Sequence, residues 1–126
     1  RVDLWHPEFL FDLKTTRHAD SIAFQRSALE LHYDLQAYMY CLADAVVERR
    51  SAARPFVFLA AEASEPHSVH MLSAGETFLE NGRAKYQRAI GMVKACMDTD
   101  HWPDSSCDRV LDIEPWQQFP RSGEAP

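Results

Sequence analysis

Asp12 and Lys14 stand two apart in Phe9-Leu10-Phe11-Asp12-Leu13-Lys14, a short apolar-rich run that reads as a β-strand. Strand alternation places both side chains on one face. Residues 1–4 form another short strand-like run. Between them lies Trp5-His6-Pro7-Glu8, where Pro7 blocks a continuous ladder and predicts a turn. The two runs make a β-hairpin. With Leu4 opposite Phe9, Asp3 falls opposite Leu10 and diagonal to Asp12 on the same face, roughly 7–8 Å away between α-carbons. Two carboxylates so placed repel unless a cation lies between them. A hard divalent ion such as Mg²⁺ takes oxygen ligands, polarises a phosphoryl oxygen and activates water. Lys14 beside it would orient that water or offset charge building on the phosphate. These residue types suit phosphodiester hydrolysis. A register slip of one residue would carry Asp3 to the other face and remove the site. On an exposed strand the same Asp-x-Lys would be a solvated pair of small consequence. The apolar neighbours of Asp12 argue instead for a central strand.

The elements that must position these residues follow from periodicity. Residues 21–48 read as helix, with apolar residues at Leu31, Leu35, Tyr38, Met39, Leu42 and Val46 and a break near residues 29–33. Asp20 or Ser21 is the expected N-cap, and Arg49-Arg50 suit the negative end of the dipole. Gln36 and Tyr40 share a helix face, with Gln36 at the edge of the apolar stripe, where it could look into a cleft or simply border the surface. Phe56-Val57-Phe58-Leu59-Ala60-Ala61 reads as a strand covered on both faces, followed by a turn around Pro66 and a partner strand at 68–72. Residues 74–97 read as a helix with Phe78, Leu79, Tyr86, Ile90, Val93 and Met97 along one side; Gly82 and Gly91 weaken it slightly. Trp102-Pro103 and Pro115-Trp116 would anchor the tail by burying aromatics, and the last residues would fray. The pattern is mixed α/β.

Composition narrows the partners. The 126 residues carry a formal net charge of −6, with 46% hydrophobic and 25% charged residues. That is ordinary globular composition, and it excludes a basic coat for nucleic acid. Contact with DNA would need a local basic patch or metal ions. Three cysteines, without a CxxC, fit a reducing, cytoplasmic setting, and no apolar run is long enough to span a bilayer. There is no Gly-rich phosphate loop, GxSxG, HExxH or zinc-type Cys/His spacing.

Other residues admit two readings. Arg17 follows the motif strand and could meet a phosphate, although surface solubility explains it as well. Trp5 could wedge against a base or simply pack. Glu62 could support the site from behind, and Cys41 belongs to the core. The six histidines share no ligand spacing beyond His67/His70, which makes a second metal site a poor reading.

Arg1-Val2-Asp3, then Asp12-Leu13-Lys14-Thr15-Thr16, Tyr33-Asp34-Leu35-Gln36-Ala37-Tyr38-Met39-Tyr40, Phe56–Glu62 and a late Trp-Pro occur in this order. The set resembles the PD-(D/E)xK nuclease superfamily and, more narrowly, the nuclease domain of exonuclease VIII (RecE type). The resemblance runs from Arg1 to about Trp116. It implies a restriction-endonuclease-like core, a central mixed sheet flanked by helices, over residues 1–116, with 117–126 a flexible tail. It implies Asp3 and Asp12 as metal ligands with the Leu13 carbonyl, and Lys14 as the catalytic lysine. Gln36 would orient the site and Tyr40 would be its companion. It implies Mg²⁺, with Mn²⁺ as a second candidate, and 5′-to-3′ degradation of linear double-stranded DNA from its ends in phage or prophage recombination. A homo-oligomer and a single-strand annealing partner are implied too. The family core opens with a helix and strand that carry a further site residue. This sequence starts within the second strand, so the expectation is a core lacking those elements. The alternative is a truncated, catalytically inactive remnant serving assembly or DNA-end binding.

Overall fold

A computed structural model describes residues 3–103. β1 (Leu4–Trp5) and β2 (Leu10–Thr16) form the hairpin; α1 (Ser21–Glu30) and α2 (Tyr33–Val47) follow, then β3 (Phe56–Glu62), β4 (Val69–Ser73) and the long α3 (Glu76–Thr99). The sheet order is β1-β2-β3-β4. β1–β2 and β3–β4 are antiparallel, whereas β2–β3 is parallel and is joined by the α1–α2 crossover. β2 is therefore an inner strand, as its apolar flanks require.

The helices begin and end for local reasons. Asp20 caps α1 by accepting from the Ile22 and Ala23 N–H groups at 3.2 and 3.0 Å. α1 and α2 are separated by His32, whose φ of 56° lies in the left-handed region and turns the chain sharply. Leu10 and Asp12 of β2 face the helices with Phe56 and Phe58 of β3. Phe24 packs on Phe58 at 5.5 Å between ring centroids, and Phe78 and Tyr40 meet Phe58 and Phe56 at 6.0 Å. Leu10, Phe24, Ala28, Ala37, Cys41, Phe56, Phe58 and Ala60 form the core on this face.

The structure corrects four expectations. The hairpin pairs Trp5 with Leu10 and Leu4 with Phe11. Its register is offset by two residues from the expected Leu4–Phe9 pairing, because residues 6–9 make the turn. An even offset keeps Asp3 on its expected face, and continuing the ladder by one residue sets Asp3 opposite Asp12 rather than Leu10. Second, α2 does not bury its long apolar residues. It buries Asp34, Ala37, Cys41 and Asp44, while Met39, Leu42 and Val46 are exposed. Small side chains let this face approach the sheet, and both aspartates find cationic partners. Third, the apolar side of α3 is covered only over its first half, where Phe78 and Leu79 join the core; Ile90, Val93 and Met97 are exposed. Fourth, Trp102 is exposed rather than an anchor. The Trp5 side chain, Trp116, the boundary at residue 116 and the tail lie outside the described residues.

Gly82 has a role that helix propensity does not show. A Cβ built there would lie 2.1 Å from the Asp34 carbonyl oxygen. The α2 and α3 backbones cross at this point, and only glycine fits. Among the described residues no helix is long and apolar enough to cross a membrane.

Candidate active site

Asp12 is 2% exposed, on the inner strand beneath α2. The Lys14 ammonium lies 2.7 Å from its Oδ2. Gln36, from the first turn of α2, closes the triangle. Its Nε2 donates to Asp12 Oδ1 at 3.1 Å, and its Oε1 accepts from Lys14 Nζ at 2.9 Å. An amide suits this place because it carries a donor and an acceptor side by side. The strand thus contributes opposite charges to one face, and the helix locks them with a neutral group.

Oδ2 of Asp12 is the one buried side-chain polar atom among the described residues that lacks a hydrogen bond. Lys14 meets it as an ion pair, not with hydrogen-bond geometry. That ammonium supplies the counter-charge a buried carboxylate requires. Asp3 stands at the open side of β2. Its Oδ2 accepts from the Leu13 N–H at 2.9 Å. In a strand, the N–H and C=O of one residue point to the same side, so the Leu13 carbonyl is directed toward Asp3 as well. The exposed Asp3 carboxylate thus sits at the Leu13 backbone, next in sequence to the buried Asp12. Both carboxylates and the Leu13 carbonyl are hard oxygen donors. Mg²⁺ is held by one or two carboxylates while keeping several waters, and these residues fit it. Among the described residues no three His, Cys, Asp or Glu side chains gather as a metal-holding group, His67 and His70 included.

The residues that seat α2 are charged, and the sequence reading gave none of them this task. Asp34 is fully buried and accepts from the Leu35 N–H, from Lys85 at 2.7–2.9 Å, and from Asn81. Burial pushes its carboxyl up, but Lys85, the Leu35 N–H and Asn81 together hold it below its ordinary value. At the other end of α2, Asp44 pairs with Arg54, whose Nε donates at 3.0 Å and whose backbone N–H donates at 3.2 Å. These bonds hold the Asp44 carboxyl low against the effect of burial. Arg54 also donates to the His6 carbonyl at 2.6 Å, tying the β1–β2 turn to the start of β3. Partners this distant in sequence leave no local signal.

Tyr40, the expected companion of Gln36, packs its ring on Phe56, and no hydrogen bond joins it to Asp12, Lys14 or Gln36 among the described residues. Glu62 accepts from the Ala19 N–H at 2.9 Å, a bond that lowers its pKa. It therefore steadies the loop between β2 and α1, and among the described residues no hydrogen bond or ion pair joins it to Asp12 or Lys14. Cys41 is buried, as expected of a core residue.

Asp12 and Lys14 lie on an inner strand of a mixed sheet, beneath a helix that supplies Gln36, with Asp3 just before the edge strand β1. The sequence pattern of the family described as "PDDEXK-like domain of unknown function (DUF3799)" matches residues 1–111, and the chain belongs to that family. Its fold is similar to a crystal structure described as a "putative exonuclease" from Eubacterium rectale, with a TM-score of 0.61 and 18% sequence identity. The match covers 90% of this chain and 47% of the other, so this chain spans about half the length of that structure. Among curated proteins, none matches the chain.

Proposed function

We propose that this domain is a divalent-metal-dependent deoxyribonuclease that hydrolyses phosphodiester bonds. The observation that carries the reading is the buried Asp12 carboxylate, with Lys14 ion-paired to one oxygen and Gln36 donating to the other. Asp3, Asp12 and the Leu13 carbonyl would hold Mg²⁺, with Mn²⁺ as the substitute. When bound, the ion supplies positive charge to the scissile phosphate and to the attacking water. Lys14 places a second positive charge where negative charge builds on a non-bridging oxygen. Gln36 keeps that ammonium beside Asp12. Tyr40 seats the helix turn behind Gln36 through Phe56.

The finer reading is an exonuclease of the exonuclease VIII type. It would act 5′ to 3′ from the ends of linear duplex DNA, as a homo-oligomer working with a single-strand annealing protein in phage or prophage recombination inside the bacterial cytoplasm. The sequence resemblance supports it. With a formal net charge of −6, the domain depends on the bound ion to make phosphate tolerable.

The test is cleavage of end-labelled linear duplex in Mg²⁺ and in EDTA. Mg²⁺-dependent release of nucleotides is expected, with loss in Asp12→Ala and in Lys14→Ala. Full activity in both variants would sink the assignment. Closed circular DNA and 5′- or 3′-blocked duplexes decide end dependence and polarity.

A further inference from the structure

Lys14 has a third neighbour. Its Nζ lies 4.2 Å from the centroid of the Tyr33 ring. The ammonium is thus held by Asp12 on one side and Gln36 on another, with the face of an aromatic ring covering a third. The ring cannot swing away. It stacks on Phe58 at 6.0 Å with a 29° interplanar angle, and Phe24 stands 6.3 Å from it. Phe24 and Phe58 are themselves buried. Tyr33 is the first residue of α2, directly after the left-handed His32, so the kink between the helices delivers the ring onto the sheet beside Lys14.

We infer that Tyr33 is a positioning residue for Lys14: its ring face confines the ammonium to the Asp12–Gln36 corner by a cation–π contact. This rests on the nuclease reading for its functional consequence, though not for its geometry. An ammonium has three donor directions on a flexible stem. Gln36 engages one of them, and the Asp12 charge draws the ammonium from another side. Without a third wall, the stem could carry the charge toward solvent, and the charge would be misplaced when a phosphate arrives. An aromatic ring supplies attraction without a competing acceptor, so it neither neutralises the lysine nor adds a further anion beside the carboxylates. The phenol oxygen is not needed for this; the ring is.

The test compares Tyr33→Phe with Tyr33→Leu, and with Tyr33→Met should leucine fail to fold. The first readout needs neither metal nor substrate. Protons above an aromatic face are shifted upfield, so the Lys14 ε-methylene protons should resonate upfield in wild type and in Tyr33→Phe. They should return toward their ordinary position in Tyr33→Leu. The second readout is cleavage in Mg²⁺. Tyr33→Leu should lose about tenfold in kcat, within the range of a desolvated cation–π contact, with KM little changed. Tyr33→Phe should restore it. An unchanged Lys14 shift in Tyr33→Leu overturns the proposal, as does a kcat loss that phenylalanine fails to rescue. If wild type cleaves no DNA, the nuclease reading fails, and the proton shifts alone still decide whether Tyr33 holds Lys14.

Discussion

Gln36 donates to Asp12 and accepts from Lys14, 24 and 22 residues away in sequence. Replacing it with leucine removes both bonds while keeping an apolar stem of similar size. Each bond contributes about 1 kcal/mol net to stability, so Gln36→Leu should lower the melting temperature by several degrees and, by releasing Lys14, cut kcat at least tenfold; steady-state kinetics alongside calorimetry checks this. Acid stability rests on other residues. Asp34 and Asp44 both have depressed pKa values in the folded state. Their contribution is therefore fully present above the unfolded carboxylate value, near 4, and is lost as pH falls through the lower folded values. The melting temperature should hold steady from neutral pH to about 4 and drop below it, with a shallower drop in Asp44→Asn. At this scale Asp12, Lys14 and Gln36 were legible in the sequence, because strand alternation and helix spacing say which side chains share a face. Tyr33, Asp34, Asp44 and Arg54 were not. Their meaning comes from partners on other elements, and a buried aspartate reads as an ordinary polar position until its cation is known.

The crossing of α2 and α3 is the tightest junction between elements. Gly82→Ala would drive a methyl group into the Asp34 carbonyl, and the obstacle is backbone that cannot rotate away. The helices must part, which loosens the Lys85 and Asn81 bonds to Asp34 as well. Overpacking typically costs about 1–3 kcal/mol, and the upper end is expected here; urea denaturation measures it. Element order, both breaks around α2, and the Asp20 cap could be read from residue patterns. The burial of α2 could not. Its long apolar residues form the more regular stripe, yet the sheet accepts the narrow face of Ala37 and Cys41 with an aspartate at either end. Hydrophobic periodicity finds the apolar side of a helix, and here close approach and ion pairing decided which side turned inward. The hairpin register shows a similar limit. Alternation fixes odd or even pairing, so Asp3 and Asp12 could be placed on one face, but the length of the turn was set by Pro7 and its neighbours.

Across the whole molecule, three long-range ties hold the site: β2 against β3, α2 against the sheet, and the first turn against Arg54. A divalent ion held by Asp3 of the chain before β1 and Asp12 of β2 would add a fourth, and binding to the folded state alone stabilises it by mass action. At a Mg²⁺ concentration 100-fold above Kd the gain is about 2.7 kcal/mol, so the melting temperature should rise by several degrees with added Mg²⁺ and return with EDTA. Asp12→Asn should abolish the rise, which separates ion binding from general salt effects. Asp44→Ala should cost about 3 kcal/mol, because it breaks a buried ion pair, and should loosen the turn that leads from Asp3 into β2. Limited proteolysis would report cutting near His6.

Cys41 carries a consequence of a different kind. Its thiol is buried beneath α2, one turn beyond Ala37, and burial together with the nearby Asp44 charge pushes its pKa up to about 11. Only a thiolate reacts quickly with alkylating reagents, so Cys41 is silent while α2 is seated and becomes reactive when the helix lifts. In a protein with Cys96→Ser and Cys107→Ser, the rate of Cys41 labelling would therefore act as a clock for local opening. The same helix carries Tyr33 and Gln36, and each tick would count a moment when Lys14 has lost both.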